Sequence, residues 1–182
     1  MVKNFNPKLE KNLLTIFQQY NQSFKRKNLK KDETSQDIIM NIFGKKQIDV
    51  DVNKQYWNRE FGKFFEIIVV RIFKLTNKNF KPALRIGADE PCDCLIGNIA
   101  IDVKYRVGSG DSGTLKKFKQ YGNLLIKKGY KPVMLFLRED NLFSAVTAIK
   151  KGGWEYLVGE KTFDFIKKNS GFDLFNFFKN LK

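Results

Sequence analysis

Apolar side chains along this chain follow two rhythms, and the change between them falls near residue 80. Over residues 8–24, Leu9, Leu13, Ile16, Phe17 and Tyr20 recur at three- and four-residue intervals, the spacing of one helix face. A short second helix is predicted over about residues 34–43, with Asp32 to Ser35 offering start residues and Gly44 the stop. The longest helix spans about residues 53–77. Its stripe is Tyr56, Trp57, Phe61, Phe64, Phe65, Ile68, Val69, Ile72 and Phe73. Glu66 falls at the edge of that stripe, where a carboxylate either faces solvent or points into a site.

Past residue 80 the rhythm becomes short apolar runs, and residues 83–86, 92–96, 99–105 and 132–137 are predicted as strands. Between the last two, residues 111–128 carry Leu115, Phe118, Tyr121, Leu124 and Leu125 on one helical face, and Gly129 stops them. A helix over 141–151, a strand over 154–158 and a Phe-rich helical pair over 160–181, broken near Gly171, complete the chain. This order predicts an α/β fold, a mixed β-sheet flanked by helices. Residues 1–52 form an N-terminal helical arm in this reading, and residues 53–182 the core.

Charge changes the picture more than size does. The 182 residues carry 34 Lys and Arg against 19 Asp and Glu, a net +15 with a pI near 9.8. Such a field favours polyanions, nucleic acid or an anionic membrane surface, although a lysine-rich proteome would bias any protein the same way. No apolar run approaches the roughly 20 residues of a membrane span. The first ten residues are polar and lack the apolar stretch of a secretory signal, so a cytoplasmic protein without a membrane partner is expected. The chain has no histidine. That excludes Ser-His-Asp and Cys-His catalysis and removes the usual zinc ligands, so any hydrolysis must run on carboxylates, lysine and a metal. Cys92 and Cys94 lack further Cys or His partners and read as small buried hydrophobes.

One segment carries chemistry. In Pro91-Cys92-Asp93-Cys94-Leu95-Ile96-Gly97-Asn98-Ile99-Ala100-Ile101-Asp102-Val103-Lys104, the Gly97-Asn98 pair between apolar runs signals a two-residue hairpin. Folding there sets 96 against 99, 95 against 100, 94 against 101 and 93 against 102. Asp93 and Asp102 become cross-strand neighbours, with Lys104 projecting from the same face. Two like charges opposed in an apolar hairpin destabilise it unless a cation joins them, and Mg²⁺ accepts such hard oxygen ligands. The plainer reading has both aspartates facing solvent.

This arrangement resembles the PD-(D/E)XK nuclease superfamily, whose restriction-endonuclease-like core sets a helix before a hairpin bearing an Asp and then a (D/E)-x-K. Asp102-Val103-Lys104 matches the second half. Asp93 matches the first half with one residue inserted after Pro91, which leaves Asp89 and Glu90 as weaker candidates. The resemblance implies a further Glu from the preceding helix: Glu66, with Glu60 as runner-up. The catalytic set is then Asp93, Asp102, Lys104 and Glu66, with Asp93, Asp102 and Glu66 as metal ligands. Gly87-Ala88-Asp89-Glu90-Pro91, Ala100 to Arg106, Gly108 to Phe118 and Pro132 to Asn141 are similar to ApaLI-like type II restriction endonucleases, over roughly residues 60–155. That likeness implies Mg²⁺-dependent cleavage of double-stranded DNA at a short palindrome by a homodimer, in which the N-terminal arm would serve dimerisation or DNA contact.

The glycine-rich segment 108–113, with Ser109 and Ser112, follows the motif strand and leads into a helix, a place where backbone approaches phosphate or merely connects. Lys116, Lys117, Lys119 and Gln120 follow it as candidate phosphate contacts. Arg106 and Arg138 leave strand ends and are the candidate base readers, since arginine takes guanine O6 and N7 together. The basic stretch 25–31 would act on affinity rather than sequence choice. Two alternatives keep the charge but change what the protein does with it, namely a structure-selective repair or junction nuclease, and a non-catalytic basic DNA-binding module.

Overall fold

The structure, a computed structural model, describes residues 7–25, 36–46, 53–108 and 110–181. Ser109 and most of the basic stretch, residues 26–31, lie outside the described residues. The elements in chain order are α1 (Pro7–Lys25), α2 (Ile38–Ile42), α3 (Lys54–Thr76), β1 (Phe80–Pro82), β2 (Cys94–Ile96), β3 (Ile99–Lys104), α4 (Ser112–Lys127), β4 (Lys131–Phe136), α5 (Phe143–Lys151), β5 (Glu155–Val158), α6 (Glu160–Ser170) and α7 (Leu174–Lys179).

Local chemistry accounts for most boundaries. The Asn53 side chain accepts from the Tyr56 N–H and opens α3, and the Asp111 carboxylate accepts from the Thr114 N–H and opens α4. The predicted α3 stripe is buried from Trp57 to Phe73. Two elements differ from expectation. The second helix starts only at Ile38, behind Asp37, whose carboxylate caps the N–H groups of Ile39 and Met40. The first strand lies at residues 80–82 rather than 83–86, and in the later stretch Ile86 forms only an isolated bridge with Asp89. Pro82, without an N–H, is tolerated because β1 is an edge strand.

The sheet runs β1-β2-β3-β4-β5. The first three strands form an antiparallel meander, and β3, β4 and β5 are parallel, joined by the crossover helices α4 and α5. This is the mixed sheet the sequence predicted. Alternation along β3 divides the core: Ile101, Val103 and Tyr105 face α3, while Ala100 belongs to the layer of Leu125, Ala145 and Ile149 on α4 and α5. Leu9 and Leu13 of α1 and Ile39 and Met40 of α2 lie in the α3-side core, so the helices before residue 53 pack into the body of the protein.

The α4–α5 layer is closed by a glycine. A Cβ on Gly122 would lie 2.1 Å from the Gly152 carbonyl oxygen and 2.6 Å from Trp154 Nε1, which itself donates to Phe118 O at 2.8 Å. Backbone and a hydrogen-bonded indole cannot yield cheaply. Gly122→Ala is expected to cost at least about 1–3 kcal/mol, the usual range for overpacking, read as a lower denaturant midpoint.

Candidate active site

The hairpin forms where the sequence placed it. Gly97 takes φ +59° while Asn98 stays at negative φ, the pattern of a type II′ turn, and the register pairs Ile96 with Ile99, Leu95 with Ala100 and Cys94 with Ile101. The next pair departs from the arithmetic. Asp93 N–H donates to Ile101 O at 2.8 Å, so Asp93 and Cys94 both address Ile101, the two-against-one count of a β-bulge. Asp93 therefore does not sit squarely opposite Asp102. Its Oδ2 accepts from the Val103 N–H at 2.6 Å, further along β3. The bulge absorbs the residue that Cys92 inserts after Pro91, and Cys92 and Cys94 are both buried free thiols, as their surroundings suggested.

Asp102 and Lys104 continue the alternation of Ala100 toward the α4–α5 layer. Asp102 is 8% exposed, and its Oδ1 accepts from Lys104 Nζ at 2.8 Å; the same ammonium lies 3.3 Å from Val103 O. Burial, and then the charge of Asp102, push the Asp93 carboxyl well above the ordinary carboxylate range. Burial alone would lower the Lys104 pKa, but the charge of Asp102 and its hydrogen bond outweigh it and hold the ammonium above its usual range. A site with a proton-retaining carboxyl has a linkage consequence. Folded protein keeps a proton on Asp93 that the unfolded chain releases above about pH 4, so this group's contribution favours folding less as pH rises toward the elevated pKa. Thermal unfolding of metal-free protein is expected to shift downward from mildly acid to neutral pH, and Asp93→Asn should flatten that dependence.

The other carboxylates sort themselves by partners. Glu66, half-buried on α3, has its pKa raised by burial and then lowered in part by Lys104, whose charge it feels ahead of that of Asp102. Glu60 is held by Arg59 at 3.3 Å and Lys63 at 3.7 Å. Asp89 accepts from the Tyr121 hydroxyl at 2.5 Å, and Glu90 pairs with Arg85 at 2.7 Å. Among these, Asp93, Asp102, Lys104 and Glu66 share one electrostatic neighbourhood, which the charge of Glu90 also reaches, while Glu60 and Asp89 have local partners.

The donors beside the motif are oxygens: the Asp93 and Asp102 carboxylates and the Val103 carbonyl. Among the described residues no three Asp, Glu, His or Cys side chains come together as a metal cluster. Mg²⁺ does not require one, since it commonly uses one or two carboxylates and fills its remaining positions with water and phosphate oxygens. The residues fit such a cation as a two-carboxylate site, and Glu66 feels the charges of Lys104 and Asp102 from α3.

The candidate DNA contacts fall into two groups. Ser112, Lys116, Lys117 and Gln120 are exposed on α4, with Lys117 only loosely paired to Asp89 at 3.8 Å. The arginines are engaged. Arg106 Nε lies 2.9 Å from Asp140 Oδ2 and donates to Asp140 O at 3.0 Å. Arg138, with a side chain 11% exposed, donates from Nε to Asp140 Oδ1 at 2.7 Å and from an amino group to Asp37 Oδ2 at 2.9 Å, and it lies over the Tyr105 ring. The Tyr105 hydroxyl donates to the same Asp37 oxygen. Sequence reasoning missed Asp37 and Asp140; Asp37 was legible only as a helix cap.

An α/β core with an antiparallel hairpin feeding parallel strands, and an Asp-x-Lys on the central one, defines a restriction-endonuclease-like protein. The chain belongs to the ApaLI-like restriction endonuclease family, whose family model matches residues 3–182. No curated protein and no solved structure matches the chain. The family's description carries the coarse activity, DNA cleavage by a restriction endonuclease. No helix of the described residues is long and apolar enough to cross a membrane.

Proposed function

We propose that the chain is a type II restriction endonuclease that cuts double-stranded DNA at a short palindromic site, as a cytoplasmic homodimer using Mg²⁺. The observation that carries this reading is Lys104 Nζ at 2.8 Å from Asp102 Oδ1, on the strand whose Val103 N–H holds Asp93. Asp93 and Asp102 would hold the cation. Bound there, it would supply a Lewis acid for the scissile phosphate and lower the pKa of a bound water.

The chain's own groups do the rest. Asp93 is tied by a hydrogen bond to the backbone of the strand that bears Asp102, which sets one carboxylate against the other. Lys104, kept charged by Asp102, stabilises negative charge developing on the phosphate and orients the attacking water. Glu66, itself poised by burial to take a proton, is assigned to the water side of the site. Ser109, Ser112, Lys116, Lys117 and Gln120 would hold phosphates, and the segment before residue 53 would extend the DNA or dimer surface. Base reading by Arg106 or Arg138 would require giving up Asp140 or Asp37, and support of the site is their better-founded role.

Linear plasmid incubated with Mg²⁺ is the test. Discrete bands, abolished by a chelator, are expected; cleavage confined to branched DNA would favour a junction nuclease, and binding without cleavage a DNA-binding module. Replacing Lys116 and Lys117 together by Ala is expected to weaken binding across all sequences and to flatten the dependence of affinity on salt by up to about two phosphate contacts. Filter binding at several salt concentrations reads this.

A further inference from the structure

We propose that Phe143 is a wedge that enters duplex DNA between base pairs beside the cleavage site. This rests on the reading of the chain as a DNA endonuclease. Among the described residues, Ile67, Ile126, Leu142 and Phe143 are the large apolar side chains left open, at 39, 47, 40 and 84% exposure. Phe143 stands apart from the others in how completely its ring is offered to solvent.

The ring is offered from a rigid base. Leu142 N–H donates to Val107 O at 3.0 Å, and Val107 N–H donates to the Asn141 side-chain oxygen at 2.8 Å. The Asn141 amide in turn donates to Arg138 O and to the Tyr156 hydroxyl. Phe143 is therefore tied to a point three residues past Lys104, on the order of 10 Å along the chain at about 3.3 Å per residue. That length is an upper bound on the span from Lys104 to Val107, about three base steps at 3.4 Å each. Gly110 packs against the residues on either side of Phe143: a Cβ there would fall 2.6 Å from Leu142 Cδ2 and 2.9 Å from Ser144 Oγ. Gly110 thus borders the start of α5, and the exposed lysines of α4 follow it in the chain.

Charge and extent favour DNA over a second copy of the chain. Of the acids near Phe143, Asp140 is bound by Arg106 and Arg138, and Asp111, next to Gly110, caps the Thr114 N–H. Apart from Leu142, the neighbours of the ring along the chain are Asn141 and Ser144. Ile126 lies against Gly153, at the far end of α5, and Ile67 is on α3 across the sheet. A stable dimer interface buries about 800 Å² per partner, more than one ring and a leucine provide. A single apolar side chain is what kinking proteins insert at a base step.

The test compares wild type, Phe143→Ala and Phe143→Trp on plasmid fragments in the presence of a chelator. Gel shift reads affinity, permanganate oxidation reads unstacked thymines, and light scattering reads mass. Phe143→Ala is expected to bind roughly tenfold or more weaker, within the range of one base–aromatic stack, and to lose thymine reactivity, while Trp retains both. Unchanged affinity and reactivity in Phe143→Ala overturn the proposal. So does a fall in mass accompanying the weaker binding, which would assign the ring to a contact between copies. If wild type binds and unstacks DNA but never cuts it with Mg²⁺, the endonuclease reading fails and the wedge stands.

Discussion

Asp102→Ala is expected to abolish Mg²⁺-dependent cleavage, by about a thousandfold or more, while DNA binding is retained or tightened. A metal held at the phosphate supplies several kcal/mol of transition-state stabilisation, and each 1.36 kcal/mol is about a factor of ten in rate. Binding should survive because the phosphate contacts assigned to α4 are separate from Asp102. It should tighten because a negative charge facing the phosphate is gone. The same change removes the charge that, after burial, does most to raise the Asp93 pKa, so the folded protein should not be weakened on that account. Single-turnover cleavage and filter binding on one DNA separate the two effects. A variant that still cuts at near wild-type rate would remove Asp102 from the mechanism.

The second large effect concerns stability. Arg138→Ala is expected to cost about 3 kcal/mol, the lower end of the range for breaking a buried pair by deleting one partner, because this pair is partly buried. The Arg138–Asp37 pair has side chains 11% and 16% exposed, and the loss would leave the Asp37 carboxylate with the Tyr105 hydroxyl and its helix-cap N–H groups. Arg138→Lys should recover only part of this. A lysine presents one charge where the guanidinium fork reaches Asp37 and Asp140 together. Urea unfolding measures it. If stability held and only sequence preference changed, Arg138 would be a base reader after all.

These two residues also mark where sequence reading succeeds and where it stops. The hairpin is legible because turn chemistry is local: Gly97 and Asn98 fix the register, and the register fixes Cys94 against Ile101. The long α3 stripe is legible because eight buried apolar residues recur at helical spacing. The bulge at Asp93 is not, since counting along a ladder assumes one residue per rung; the misplaced aspartate after Pro91-Cys92 is its only trace. The first strand falls at 80–82 and not at 83–86 because an apolar run says nothing about which residues find an edge to pair with. Nothing near Arg138 in the sequence signals that it is engaged, because its partner Asp37 lies 101 residues away in the chain. No periodicity reports a contact of that range.

The most direct measurement is digestion of a phage genome with the purified protein and Mg²⁺, followed by sequencing of every end. All ends are expected to share one short palindrome, cut at a fixed position, with none produced by Asp102→Ala or Lys104→Ala. Ends without a common sequence, or an intact genome after exhaustive incubation with Mg²⁺, would contradict the assignment of Asp93, Asp102 and Lys104 to a restriction endonuclease's active site.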